Sequence, residues 1–261
     1  MTKHEFEHKL KEYVKEFSRA VATTDGEWII KGFIDIYRTI YTISIDTKVI
    51  SKVMELLLFP KLRDFANQNN LRMELAEHQN FYPDISFIDS KGNIFALDIK
   101  STYRVNNTKV NGMTLGAFTG YFRNRKSSKN ITRPYSTYAG HFVLGIIYSK
   151  SNEFIDEKKR YTIDELENIA SVVHDIQFFV QEKYKIASDR PGSGNTKNIG
   201  SVTDIEQLIN GKGPFATLGE DVFDDYWMYY MTKDMARAAD LEKPAYRNLS
   251  TYFDYKRRGV V

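Results

Sequence analysis

The chain has 261 residues, of which 42% are hydrophobic and 27% are charged, and its formal net charge is +3. This composition is typical of a globular protein with a sizeable core, and it excludes a disordered chain and a polycation. No apolar run approaches the roughly 18 residues that a membrane-spanning helix needs, and the charged N-terminus is unlike a signal peptide. Since the sequence has no cysteine, disulfides, thiolate zinc sites and cysteine nucleophiles are excluded too. We therefore expect a cytoplasmic protein with no membrane partner.

Two patterns stand out at the start of the chain. Apolar residues recur at spacings of three and four over residues 3–23 and predict an amphipathic helix. Residues 27–45 are rich in Ile, Tyr, Phe and Thr and are interrupted by Gly32. This composition predicts a pair of strands.

A second helix is predicted over residues 47–58, with Asp46 or Thr47 as its N-cap and Pro60 just beyond its end. Glu55 lies on this helix in an otherwise apolar stretch. Its carboxylate faces either solvent, which is usual for an acid, or a site formed with the next segment of the chain.

Further along the chain, the hydrophobic pattern predicts a hairpin, two buried strands and a helix. These segments are residues 82–100, 141–149, 172–180 and 221–231. A polar loop with three glycines follows the second buried strand, over residues 188–201. The mixture of strands and helices predicts an α/β or α+β fold, with a mixed central β-sheet flanked by helices.

The hairpin carries the residues that point to chemistry. Asp98 and Lys100 are two positions apart on a predicted strand, so both side chains point to one face, about 7 Å apart along the chain. Asp84 follows Pro83 at the start of the partner strand, where the hairpin can bring it beside Asp98. Two carboxylates that close repel each other unless a cation or proton lies between them, and oxygen ligands suit Mg²⁺. Lys100 would supply positive charge where a phosphodiester transition state gains negative charge.

An Asp-x-Lys pattern alone favours an ion pair at a solvated strand end. The Pro-Asp pair at hairpin spacing makes a nuclease site an equally good interpretation, although a pattern this short can also arise by chance.

A longer set of motifs raises the specificity of this interpretation. These motifs include Asp46-Thr47-Lys48-Val49, Gln79-Asn80, Tyr82-Pro83-Asp84, Asp98-Ile99-Lys100, Gly192-Ser193-Gly194-Asn195-Thr196 and Asp225-Tyr226-Trp227. With these motifs in this order, the sequence resembles the type II restriction endonucleases that carry a PD-(D/E)xK core, over roughly residues 45–230.

The resemblance implies a role for each matched residue. Asp84, Asp98 and Glu55 would be the metal ligands, with Mg²⁺ as cofactor and Mn²⁺ as a possible substitute. Lys100 would help to activate the attacking water, and Glu55 would act as an auxiliary acid. Residues that contact DNA would be Gly192, Ser193, Gly194, Asn195 and Thr196 in a major-groove recognition loop, Gln79 and Asn80 in a minor-groove loop, and Thr102 and Lys48.

The resemblance also implies a homodimer that cuts double-stranded DNA at a palindrome. The matching recognition loop implies the site GATATC, cut bluntly at its centre, and a partner DNA methyltransferase in the same system. We expect a single restriction-endonuclease domain, with a dimerisation part at about residues 1–60 and a catalytic and DNA-binding part at about 61–261. The alternatives are a structure-specific repair or junction-resolving nuclease, and a non-catalytic DNA-binding regulator.

Overall fold

The computed structural model describes residues 1–152, 156–192 and 197–259. The helices of these residues are α1 (Lys3–Glu12), α2 (Val14–Val21), α3 (Thr47–Gln68), α4 (Lys183–Ile186), α5 (Ile205–Asn210), α6 (Glu220–Tyr229), α7 (Lys233–Ala238) and α8 (Leu249–Arg257). The strands are β1 (Gly32–Ile34), β2 (Ile40–Thr42), β3 (Arg72–Leu75), β4 (Ile85–Ile88), β5 (Ile94–Tyr103), β6 (Thr114–Ala117), β7 (Tyr138–Lys150), β8 (Arg160–Tyr161), β9 (Val173–Glu182), β10 (Ala187–Pro191) and β11 (Asn198–Ser201). None of the described helices is long and apolar enough to cross a membrane.

A five-stranded mixed sheet in the order β3–β4–β5–β7–β9 forms the centre of the molecule. Strands β4 and β5 form an antiparallel hairpin, β5 and β7 run parallel, and β7 and β9 run antiparallel. Two smaller sheets have the orders β1–β2–β8 and β10–β11–β6. This mixed sheet with flanking helices confirms the predicted fold class, and the predicted strands, hairpin and helix 221–231 are all present.

The two faces of the central sheet cover different cores. Alternation along β5 points Phe95 and Leu97 into a core formed with α1, α2 and α3. Ala96 points to the opposite face, where a second core is rich in Tyr, Phe and Trp, mostly from the part of the chain that follows β5. Asp98 follows Ala96 on this second face, and Lys100 follows Asp98. The apolar side chains on this face of β5 are therefore succeeded by charged ones.

The predicted helix over residues 3–23 is wrong at one position, because it is broken at Tyr13 into α1 and α2. Phe6 at the centre of α1 stacks on Phe95 of the sheet, with ring centroids 4.5 Å apart. Phe17 in α2 packs instead near Phe178 of β9. The break at Tyr13 lets each short helix turn its apolar face toward a different part of the sheet.

The prediction that the second helix ends before Pro60 is also wrong. Helix α3 starts as predicted, with the Asp46 side chain accepting hydrogen bonds from the first turn, but it continues through Pro60 to Gln68. A proline inside a helix removes one backbone hydrogen bond. Burial of Leu62 and Phe65 in the last turns offsets this loss.

The packing of β7 against β9 gives a stability prediction. An added Cβ at Gly145 would lie 2.0 Å from the Phe179 ring, far closer than atoms can approach. We expect Gly145→Ala to lower the free energy of unfolding by about 1–3 kcal/mol, because the ring cannot move within a packed core. Gly112→Ala is the control, since its Cβ would meet only Thr203 at an ordinary 3.6 Å.

Urea denaturation followed by circular dichroism measures both variants. The control should stay within about 0.5 kcal/mol of the parent chain. Equal stability of the two variants would contradict the described packing of β7 on β9.

Candidate active site

The turn between β4 and β5 sets the register that brings the two acids together. The Asp89 side chain accepts hydrogen bonds from the backbone N–H groups of Lys91 and Asn93, each at 2.9 Å. The ladder then pairs Ile85 with Leu97. The next positions outward on the two strands are Asp84 and Asp98.

Backbone hydrogen bonds hold both carboxylates in place. Asp98 Oδ1 accepts from the backbone N–H of Asp84 at 3.3 Å, and Asp84 Oδ2 accepts from the backbone N–H of Ile99 at 2.7 Å. Each acid is therefore fixed by the strand that carries the other. As predicted, Lys100 lies on the same face, and its Nζ is 3.2 Å from Asp98 Oδ2 and 3.6 Å from Asp84 Oδ2.

The electrostatics of the site follow from this proximity. Burial raises the pKa of Asp84 to about 6; the Lys100 charge opposes this rise, and the Asp98 and Glu55 charges add to it. Burial alone would lower the pKa of Lys100, but Asp98 and Asp84 together raise it above its ordinary value. Lys100 therefore stays protonated at neutral pH and offsets the repulsion between the acids.

The two carboxylates suit a hard divalent cation. Their oxygens converge on one face, and the Lys100 ammonium already contacts both of them, so a positive charge fits between them. Across the residues the structure describes, no group of three or more His, Cys, Asp or Glu side chains could hold a metal. A pair of carboxylates is nonetheless the donor set that Mg²⁺ uses when it keeps several waters.

Glu55 lies beside the pair without joining it. It is on α3, and its carboxylate forms an ion pair with Lys52 at 2.8 Å. Its charge is close enough to add to the raised pKa of Asp84. The structure therefore brings Glu55 into the electrostatic field of the site, and its predicted role as ligand and auxiliary acid stays a prediction.

Two further predicted residues, Lys48 and Thr102, line one cavity of about 250 Å³ together with Ser51 and Ser101. Lys48 is exposed at the start of α3. Thr102 is buried, and its hydroxyl donates to the backbone carbonyl of Asn111. Lys48 is thus free to meet a ligand, whereas the Thr102 hydroxyl is already used within the fold.

Of the two predicted DNA-reading loops, the structure describes one fully and the other only at its base. Gln79 and Asn80 are exposed in the loop between β3 and β4, just before the hairpin that carries Asp84 and Asp98. Gly192 follows β10, and its N–H donates to the carbonyl of Asn198 at the start of β11, so these two strands form a stem. Ser193, Gly194, Asn195 and Thr196 lie outside the described residues.

Four basic residues follow β6, and the fold engages two of them and leaves two exposed. The Arg123 guanidinium donates to the carbonyl of Tyr230, and Arg125 lies between the Phe122 and Tyr135 rings. Both arginines are therefore engaged within the protein. Lys126 and Lys129 are exposed and remain available to contact phosphates.

One residue near the site was not predicted from the sequence. Lys183 is buried, and Asp98 is the acid that most favours its charged form. It occurs in the charged run Glu182-Lys183-Tyr184-Lys185, which is typical of an exposed segment. A single sequence offers no signal that the middle of such a run turns inward.

Comparisons with known proteins agree with the motifs. A family described as restriction endonuclease EcoRV matches residues 24–257. The type II restriction enzyme EcoRV of Escherichia coli is 34% identical over 243 residues, which cover 92% of this chain and 96% of that protein. Among solved structures, NlaIV restriction endonuclease covers 98% of this chain and 96% of its own at 9% identity, with a TM-score of 0.41 that is too low to support an argument.

The family and sequence matches confirm the resemblance that the motifs predicted. They cover the hairpin of β4 and β5, the loops on either side of it and most of the C-terminal half. The chain therefore belongs to the EcoRV family of restriction endonucleases and is a type II site-specific deoxyribonuclease.

Proposed function

We propose that this enzyme hydrolyses double-stranded DNA at the palindrome GATATC in a Mg²⁺-dependent reaction, and cuts at the centre to leave blunt ends with 5′-phosphates. The observation that carries the chemistry is the convergence of Asp84, Asp98 and Lys100 within hydrogen-bond and ion-pair distance. The proposed sequence rests on the recognition-loop motif. We place its action in the cytoplasm, beside a methyltransferase that protects the same site.

In this proposal Asp84 and Asp98 hold Mg²⁺, or Mn²⁺ in its place. The bound ion would polarise the phosphoryl oxygen and make an attacking water more acidic. The protonated Lys100 side chain lies beside both acids. There it would orient the water and stabilise the negative charge that develops at phosphorus. Glu55 serves as an auxiliary acid, and its ion pair with Lys52 would have to loosen if it approached the metal.

The first test removes the charges of the site without changing its shape. We expect Asp98→Asn and Lys100→Met each to slow cleavage of a site-containing plasmid by at least about 10²–10³-fold, because each removes a group that interacts with the transition state. Lys61→Met is the control, since Lys61 is a partly exposed lysine farther along α3 that forms its ion pair with Asp64 and not with Glu55.

Circular dichroism should show that all three variants are folded. Cleavage by Asp98→Asn at close to the parental rate would reject the assignment of the site.

DNA contacts are proposed for the loops that flank this site. Gln79 and Asn80 would follow the minor groove, and Lys48 would contact the DNA backbone; Thr102 would contribute to DNA binding only if its hydroxyl released the Asn111 carbonyl. In the recognition loop of Gly192, Ser193, Gly194, Asn195 and Thr196, Asn195 would read an adenine and Thr196 a thymine methyl. The central TA step of the site is easily kinked, so bending would add to specificity there.

The specificity test maps the cut ends. A sequenced plasmid incubated with Mg²⁺ should be cut bluntly at GATATC. A chelator should prevent cleavage, and Ca²⁺ should support binding without efficient hydrolysis.

A duplex with N6-methyladenine at the position read by Asn195 should resist cleavage. Ends at an unrelated sequence would reject GATATC alone, and cutting only at branched DNA would favour a structure-specific nuclease.

A homodimer is proposed from an exposed apolar surface at the hairpin of β1 and β2. Ile36 and Tyr37 at its tip are 88% and 82% exposed, and Phe33 and Ile34 of β1 are more than half exposed. Contiguous exposed apolar groups of this kind mark an interaction surface. A second copy of the chain is the proposed occupant, because a two-fold axis would match a palindrome and place one active site on each strand.

This proposal predicts that a charge on the hairpin prevents assembly. We expect light scattering at micromolar concentration to show a dimer for the parent chain and a monomer for a double variant, Ile34→Glu with Ile36→Glu. Leu241→Glu is the control, because Leu241 is also exposed but lies near the C-terminus. A monomeric parent chain, both free and on DNA, would rule out the proposed interface.

A further inference from the structure

Lys183 is a lysine buried among aromatic side chains. Its side chain is 2% exposed, and within the described part of the chain its Nζ makes no hydrogen bond. Glu182, the adjacent acid, does not serve it, because that carboxylate pairs with Lys3 at 2.5 Å and Lys185 at 2.7 Å. An unpaired buried ammonium destabilises a fold, so its position calls for a functional reason.

Aromatic rings enclose this ammonium. The Nζ lies 4.6 Å from the ring centroid of Tyr82, 5.6 Å from that of Tyr135 and 5.8 Å from that of Phe122. The electron-rich faces of such rings attract a cation. Tyr82 directly precedes the Pro83-Asp84 pair of the catalytic hairpin, so the cation packs against the segment that carries one of the two acids.

A glycine leaves the room that the ammonium needs. Gly116 has a φ of +90°, and an added Cβ there would lie 3.4 Å from Lys183 Nζ and 3.1 Å from the Tyr121 hydroxyl. The backbone of β6 therefore lies directly against the ammonium and the Tyr82 ring.

The sheet register places Lys183 on the same face of the central sheet as Asp98, two strands away. Asp98 pairs with Val143 across β5 and β7, and Val143 pairs with Gln181 across β7 and β9. Lys183 lies two residues beyond Gln181, on the face of the sheet that carries Asp98. Burial lowers the pKa of Lys183 to about 8, with Asp98 the strongest influence in the opposite direction. It is therefore mostly charged at pH 7.

Lys183 therefore adds a second positive charge near the acids, beyond that of Lys100. Asp98 is the acid that interacts most strongly with it. A divalent cation that binds to Asp84 and Asp98 is repelled by this buried charge.

We propose that Lys183 is a positioning residue whose buried charge, acting on Asp98, weakens binding of the divalent cation in the free enzyme. This rests on the proposed metal site at Asp84 and Asp98. Because Lys183 is buried, it acts through the field of its charge and does not itself reach the substrate.

The test measures Mn²⁺ binding to the DNA-free protein by electron paramagnetic resonance of the unbound ion. Lys183→Met keeps the length and apolar contacts of the side chain and removes its charge. We expect its Mn²⁺ affinity to exceed that of the parent on the order of tenfold, because a nearby positive charge is gone. Its Tm should equal or exceed that of the parent, since an unpaired buried charge is removed; a purely structural role predicts a lower Tm.

Two further variants complete the design. Lys185→Met is the matched control, because Lys185 is a neighbouring lysine that pairs with Glu182 and Glu7, and it should bind Mn²⁺ as the parent does. Lys183→Gln replaces Lys183→Met if the latter does not fold. Unchanged or weaker Mn²⁺ binding by the neutral Lys183 variant would overturn the inference, and so would an equal gain in Lys185→Met.

The same titration separates this inference from the metal site on which it rests. Asp98→Asn, introduced alone or with Lys183→Met, should remove the Mn²⁺ binding. If Asp98→Asn binds Mn²⁺ as tightly as its parent, the proposed metal site is wrong. If only the Lys183 variants fail to differ from the parent, the metal site stands and the role of Lys183 is wrong.

Discussion

Two carboxylates held side by side in a partly buried place are the constraint on which the rest of the structure depends. Asp84 and Asp98 would repel each other strongly if they were left alone. The fold offsets this repulsion with two backbone N–H donors and the Lys100 ammonium. Each of these groups belongs to the same hairpin, so the register of β4 against β5 determines whether the site exists at all.

The surrounding structure fixes that register. The Asp89 turn closes the hairpin, and Phe95 and Leu97 anchor β5 in the core beneath it. A slip by one residue would turn these two side chains to the opposite face and carry Asp98 into the apolar core. An ionised carboxylate without a partner in an apolar core is strongly destabilising, and this cost excludes the slipped register. The hydrophobic core therefore controls the geometry of the acids.

Local patterns in the sequence predict how the two acids and the lysine are placed relative to one another. They predict the course of the surrounding helices less well. Alternation along β5 predicts that Asp98 and Lys100 share a face, and the turn residues predict the hairpin, because both are short-range properties. The break at Tyr13 and the passage of α3 through Pro60 depend on which tertiary contacts form, and no single segment encodes them. The inward turn of Lys183 is of the same kind, since its cage comes from Tyr82, Phe122 and Tyr135, far away in the chain.

A crystal of the enzyme with DNA and Mn²⁺, examined for anomalous scattering from manganese, tests the central claim most directly. Manganese should give an anomalous peak in contact with carboxylate oxygens of both Asp84 and Asp98, at about 2.0–2.6 Å. Lys100 should be displaced toward the scissile phosphate. A peak bound elsewhere, with the two acids still paired to Lys100, would contradict this claim.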